Sequence, residues 1–279
     1  MNELMQSNLA TAPRPFVSTP AASTRRRNLA LFINFYRREL SGRYLGSATG
    51  LAWALLHPLA LLAVYYFVFT QVFRTRGFGD QSFLLFVAVA LWPWLAAQEG
   101  LQRATVSLGS YAGLIRKVAF PHELVVYASV AATFTLHFAG YVAVLVVLAL
   151  FGEPVRFQGF LLVLPIWVMV AIATTGLALC FSALQVFIRD VEHVLMPVLM
   201  ILMYLTPILY PLSLVPDRVR PWVAANPFAW VVDRLREALL DGQLALHWRD
   251  LLALTAAAVL FVLGRWMFLR LSPNFEDFV

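Results

Sequence analysis

Residues 44–73 form a run of thirty without one Asp, Glu, Lys or Arg, and they follow directly on the basic stretch Tyr36-Arg37-Arg38-Glu39-Leu40-Ser41-Gly42-Arg43. A helix of that length, at about 1.5 Å per residue, exceeds the roughly 30 Å of bilayer hydrocarbon, so the run reads as a membrane span. The pattern recurs over 81–98, 124–152, 157–188 and 193–216, all free of formal charge. Composition agrees, since 61% hydrophobic and 13% charged residues stand far from the roughly 45–50% and 25% of soluble domains.

The charge-free runs, with the apolar stretch before the carboxyl terminus, predict an all-α membrane protein with six transmembrane helices at about 51–73, 83–101, 124–151, 161–187, 194–210 and 251–271. An even number puts both termini on one side. Placing that side in the cytoplasm leaves thirteen Lys and Arg inside against eight outside, the sense of the positive-inside rule. Residues 1–27 read as a disordered polar and basic tail, and 28–279 as one polytopic domain. The first apolar stretch after Arg25-Arg26-Arg27 is short and broken by Asn34, so we expect no cleaved leader.

Two segments outside the spans have a pattern of their own. Residues 28–44 place Leu29, Phe32, Ile33, Tyr36 and Leu40 on one helical face, which suits an amphipathic helix on the inner membrane surface. Residues 211–250 are too polar to span, yet after Asn226-Pro227 the positions Phe228, Val231, Val232, Leu235 and Leu239 keep helical spacing. Asp233, Arg234, Arg236 and Glu237 fall on the other side of that helix, which is then either re-entrant or interfacial. Asp233 and Arg236 lie three apart and could pair.

The chemistry points away from an enzyme. The only lysine, Lys117, does not follow a Gly-rich turn, so there is no phosphate-cradling loop. His122, His193 and His247 are scattered, Cys180 is single, and no metal site or cofactor is expected. Intramembrane acids would mark a proton pathway, but the first five charge-free runs contain none. His57 and His137 read as hydrogen-bonded structural residues, and Arg265 as a cation snorkelling to the inner surface. The net charge of +6 is accounted for by the membrane-facing arginines, so no nucleic-acid partner is expected.

Aromatic residues are abundant. Tyr65, Tyr66, Trp92 and Trp94 lie near the outer ends of the first two spans, either as an interfacial belt or as rings lining a passage for sugars. The loop between spans two and three, containing Leu114-Ile115-Arg116-Lys117-Val118-Ala119-Phe120-Pro121, mixes apolar side chains with two cations. It is either a connector or a docking surface for a protein partner.

That loop, together with Arg43-Tyr44-Leu45-Gly46-Ser47 running on to Trp53 and Pro58-Leu59, Arg189-Asp190-Val191-Glu192-His193, Tyr204-Leu205-Thr206-Pro207-Ile208-Leu209-Tyr210-Pro211, and Asn226-Pro227 followed by Arg236, resembles the permease subunits of ABC exporters for O-antigen and teichoic-acid polysaccharides. The resemblance implies a homodimer bound to two ATPase subunits, which carry ATP and magnesium. The assembly would export a lipid-linked polysaccharide through the bacterial cytoplasmic membrane, among membrane lipids. It further implies that Arg37, Arg38, Arg43 and Tyr44 belong to the inner interface helix, and that Leu114, Ile115, Arg116, Lys117 and Phe120 form a coupling helix beside Arg189 and Asp190. The 211–240 region would be a pair of re-entrant outer helices, with Tyr210, Asp233 and Arg236 at an outer gate. An exporter of drugs or small lipids is the alternative, and a membrane-embedded glycosyl- or acyltransferase a more distant one.

Overall fold

A computed structural model describes residues 21–42, 52–75, 77–78 and 81–278. Arg43 and Tyr44, and the turn around Gly46, lie outside them. The chain is built from helices α1 (Ala21–Gly42), α2 (Ala52–Phe67), α3 (Phe83–Ser110), α4 (Ala112–Ile115), α5 (Glu123–Leu150) and α6 (Phe160–Phe187), then α7 (Val191–Leu205), α8 (Arg220–Ala224), α9 (Pro227–Arg236), α10 (Trp248–Leu271) and α11 (Phe275–Phe278). A π-helical turn over Val68–Val72 extends α2, and another over Glu237–Asp241 extends α9. The one departure from an all-helical chain among the described residues is a hairpin of two-residue strands, Gly77–Phe78 and Gln81–Ser82.

Among the described residues, four helices are long and apolar enough to cross a membrane, the ones containing α3, α5, α6 and α10, and two shorter apolar helices cover Leu56–Val72 and Val191–Leu205. The expected boundaries hold to within a few residues except at two places. α3 does not stop near residue 101 but continues to Ser110, and α7 ends at Leu205 rather than 210. The second difference has a local cause: Thr206 precedes Pro207, and the extended conformation that proline imposes on its predecessor (φ −96°, ψ 136°) breaks the helix there. α1 begins at Ala21, inside the stretch read as a tail.

α3 is the axis of the bundle and packs against α2, α5, α6, α7 and α9. Almost every residue of its first half is buried, including Phe83, Leu85, Val87, Leu91 and Trp92. Ser82 starts it by accepting the Leu85 amide on its hydroxyl, 3.2 Å away. Pro93 inside α3 cannot donate to the carbonyl four residues earlier, Val89; the buried Tyr141 hydroxyl of α5 donates to that oxygen instead, at 3.2 Å. This substitution lets a proline persist in an apolar interior.

α10 packs mainly on α6. The two axes cross at Gly176 and Gly264, where a Cβ on Gly264 would stand 2.0 Å from the Gly176 carbonyl oxygen. The rest of α10, with Leu251, Val259, Val262 and Trp266, is exposed apolar surface, as a lipid-facing helix requires.

The segment before α10 folds back into the bundle. Asn226 caps α9 by accepting the Phe228 amide at 2.9 Å, and its own side-chain amide donates to Thr206 Oγ1 at 2.8 Å, which ties the cap to the broken end of α7. Val232, Leu235, Ala238 and Leu239 are fully buried, so the re-entrant reading of this helix holds in the sense that it packs inside the protein. Its arginines are not on a solvated side, as the helical wheel suggested. Arg236, 7% exposed, donates to the carbonyls of Pro207 and Ile208 at 2.8 Å each and to that of Phe86 at 3.4 Å. Its guanidinium also stacks 3.4 Å from the Phe86 ring centre. Arg234, 3% exposed, pairs with Glu237, donates to the Ala245 carbonyl at 2.8 Å and approaches Asp250 within 3.0 Å. Asp250 in turn caps α10 by accepting the His247 amide at 2.9 Å. One arginine thus fastens α9 to the ends of α7 and α3, and the other fastens it to the start of α10.

Four substitutions test this architecture. Arg236→Met, which leaves buried carbonyls bare, should destabilise the subunit by about 2–4 kcal/mol, read as a lowered thermal midpoint in detergent. Arg236→Lys should recover little, because one ammonium cannot fork across the three oxygens. Gly264→Leu should force α10 off α6 and cost at least about 1–3 kcal/mol, measurable as loss of folded protein on size-exclusion chromatography, whereas Val262→Leu on the exposed face should be neutral.

Candidate functional site

The helices place most of the predicted coupling residues at one end of the bundle. α1 packs along α5, with Phe35 buried and the Tyr36 hydroxyl donating to Thr135 Oγ1 at 3.2 Å. The buried stripe is therefore centred on Phe35, flanked by Phe32, Tyr36 and Leu40, while Leu29 and Ile33 of the expected face point outward. Helices that meet both protein and membrane need two apolar sides, which a single-stripe reading does not resolve.

The α3–α5 connection folds over this end. Tyr111 and Ile115 are buried, Leu114 and Phe120 are half-buried, and Arg116, Lys117, Val118 and Ala119 are exposed. Tyr111 meets the Phe35 ring edge-on at 5.1 Å, and Arg38 lies 5.0 Å over the opposite partner, the Tyr111 ring. Phe120 packs 5.5 Å from Phe35 and 5.0 Å from His122, whose imidazole stacks 6.1 Å from Phe275 of α11. Phe275 continues the contact to Phe268 of α10 and Phe187 of α6, at 5.3 and 6.0 Å. Burial pushes the His122 pKa below its ordinary value, against an opposing pull from Glu276, so the ring packs in its neutral form. α1, the α3–α5 connection, the Phe187 end of α6 and α11 are thus joined by one run of aromatic rings.

Arg189 and Asp190 occupy the exposed turn between α6 and α7 at the same end. Gln185 organises that turn, donating to the Arg189 carbonyl at 3.0 Å and accepting the Glu192 amide at 2.9 Å. Arg189 and Gln185 share a cavity of about 390 Å³ with Gly109 of α3 and Ala112 of α4. Arg37 is exposed on α1.

The residues assigned to the opposite end are divided. Tyr66 is exposed on α2 and Tyr65 is half-buried beside it. Trp92 is 0% exposed within the subunit, because α3 is the core helix and its ring packs inward. Trp94 is 5% exposed, donates to Gln98 Oε1 at 2.8 Å and packs edge-on against Phe228 of α9 at 5.0 Å. The Tyr210 hydroxyl donates to the Tyr204 carbonyl at 2.8 Å, closing the loop after α7. Asp233 and Arg236 share a helix without forming an ion pair, since the guanidinium is committed to backbone carbonyls.

Arg265 also differs from expectation. It does not snorkel alone but forks onto Glu123 at the start of α5, with contacts of 3.1 and 3.2 Å. The largest omission of the sequence reading is Glu99. It follows the charge-free run by one residue, and because α3 continues past it, this carboxylate lies inside a continuous helix, 2.7 Å from His137 Nε2 and paired with Arg103 one turn on. The signal was the stripe Gln98-Glu99-x-x-Gln102-Arg103, polar at i and i+4, just where a helix end had been expected.

Comparison with known proteins fits this arrangement. The chain is 27% identical over 248 residues to the O-antigen export system permease protein RfbA of Klebsiella pneumoniae, covering 88% of this chain and 94% of that one. It is 28% identical over 236 residues to RfbA of Myxococcus xanthus, covering 83% and 88%. It is 24% identical over 217 residues to the polysialic acid transport protein KpsM of Escherichia coli, covering 77% and 82%. Residues 30–240, which run from within α1 to the π-helical turn after α9, match the family described as ABC-2 type transporter. With helices that cross the membrane, a folded-back segment before the last of them and an anchored loop at the α1 end, this chain belongs to the ABC-2 type transporter family.

Proposed function

We propose that this chain is the membrane subunit of an ATP-driven exporter that carries a lipid-linked polysaccharide, of the O-antigen kind, out through the cytoplasmic membrane. The observation that carries the reading is likeness along most of the chain to permeases named for O-antigen and polysialic acid. ATP is hydrolysed on a separate subunit, in keeping with a sequence that has no Gly-rich loop ending in Lys-Ser/Thr. Two copies of this chain form the channel and two ATPases drive it, with six spans per copy and both termini in the cytoplasm. The apolar sides left open on α2 and α7, including Val64, Tyr66, Met196, Met200 and Tyr204, support such a pairing.

The α3–α5 connection has the build of a coupling element. Its tip presents Arg116, Lys117 and Val118, while Tyr111 and Ile115 hold its base in the protein. A push on the tip is then transmitted through buried aromatic contacts to α1, α6 and the carboxyl-terminal helix instead of being absorbed by a loose loop.

Removing this subunit from its host should leave unexported glycan inside the cell, detectable by glycan staining of the cytoplasmic fraction; normal surface glycan with loss of drug or small-lipid export would favour the alternative substrate class. Arg116→Glu combined with Lys117→Glu should lower transport-linked ATP hydrolysis of the reconstituted complex at least about tenfold by weakening docking, with the subunit still folded. ATP hydrolysis at the unmodified rate would sink the docking assignment.

A further inference from the structure

A polar cavity of about 450 Å³ opens beside α3 towards the α1 end of the bundle, between α2 and α5. His57, Gln98, Glu99, Gln102, Arg103 and His137 line it, and Trp53, 53% exposed, lies at its edge. Its size falls within the roughly 300–1,000 Å³ of small-ligand sites. His137 is buried in its wall and Gln102 half-buried, while His57 and Arg103 are exposed at its mouth, and so many polar side chains gathered beside spans this apolar call for a reason.

We propose that this cavity binds a neutral sugar unit of the transported glycan, an inference that rests on the polysaccharide reading above. The electrostatics select against a phosphate. Glu99 is balanced by Arg103 on its own helix and by His137 at 2.7 Å across to α5, so the walls present a mixed field in which a carboxylate faces any incoming anion. Neighbouring sugar hydroxyls, each both donor and acceptor, match a set made of one carboxylate, two planar amides, a guanidinium and two imidazoles. Trp53 supplies a ring whose electron-rich face attracts the C–H face of a pyranose.

Two buried nitrogens point to an occupant. His137 is 7% exposed and uses Nε2 on Glu99, while its Nδ1 has no hydrogen-bond partner among the described residues; the same holds for Gln102 Nε2. A buried nitrogen left so costs about 1–3 kcal/mol, and turning either side chain onto a hydroxyl of an occupant would relieve that cost. The cavity does not end there. Gln102 and Arg103 also line an adjoining space of about 460 Å³ with Glu192, His193 and Met196 at the start of α7, so successive units of one chain could follow each other along α3.

The test uses the complete exporter in cells that make the glycan with a radiolabelled sugar. Trp53→p-benzoylphenylalanine and, separately, Met196→p-benzoylphenylalanine place a photoreactive ring at the edge of each space, with Val262→p-benzoylphenylalanine on exposed α10 as the control. Illumination should yield a subunit carrying radiolabelled glycan from either of the first two and none from the control. Adding Glu99→Ala, or Gln102→Leu should the former fail to reach the membrane, should cut that yield at least about tenfold, the equivalent of one lost charged hydrogen bond. Adducts of phospholipid alone, or a yield unmoved by both substitutions, would overturn the assignment. If Trp53 and Met196 give no glycan adduct while Tyr66→p-benzoylphenylalanine does, this site is wrong and polysaccharide export stands. If none of the three does, and the deletion strain holds no internal glycan, the export reading fails as well.

Discussion

A backbone carbonyl in an apolar interior has no water to fall back on, and the guanidinium of Arg236 answers that need at the place where three chain segments meet. α7 breaks at Thr206-Pro207, α3 is still in its first turns at Phe86, and α9 arrives from the other direction. The five donors of one arginine collect the oxygens of Pro207, Ile208 and Phe86, and Asn226 secures the same junction through Thr206. Without that set of bonds the segment between α7 and α10 would have to lie on the surface, and the end of the bundle would be open. Arg234, bound to Asp250 and the Ala245 carbonyl, performs the corresponding task at the start of the last span.

The two ends of the molecule are therefore held by different physics. At the folded-back end, charged side chains satisfy buried backbone oxygens, contacts that depend on direction and hold one geometry. At the α1 end the joints are aromatic, from Phe35 through Tyr111 and Phe120 to His122, Phe275 and Phe187. These ring contacts carry apolar area and edge-to-face or stacked geometry instead of directional hydrogen bonds.

The segments that sequence made legible are those governed by long-range average hydrophobicity or by strong local chemistry. Four long spans and the folded-back helix followed from uncharged runs and from Asn226-Pro227, because hydrocarbon excludes charge over some twenty residues and a cap is a local event. The basic tip of the α3–α5 connection was legible for the same reason. The errors share another cause. Arg234 and Arg236 looked solvated, and Arg265 looked unpaired, since a helical wheel records which side a residue occupies but not what stands opposite it. Trp92 looked like a candidate wall of a passage and lies enclosed, because α3 happens to be the central helix.

What the sequence by itself determined is the solvent: a chain this apolar, with its cations grouped around the spans, has to be a helical membrane protein. Only the tertiary structure decided which helix lies at the centre, where α6 and α10 touch glycine to glycine, and that Glu99, His137 and His57 line one cavity. Glu99 and His57 stand forty-two positions apart, and Glu99 and His137 thirty-eight. Hydrophobicity says that each helix must enter the bilayer but is indifferent to rotation about the helix axis, and it is that rotation, set by close packing and by satisfied polar groups, that brings distant side chains to one place.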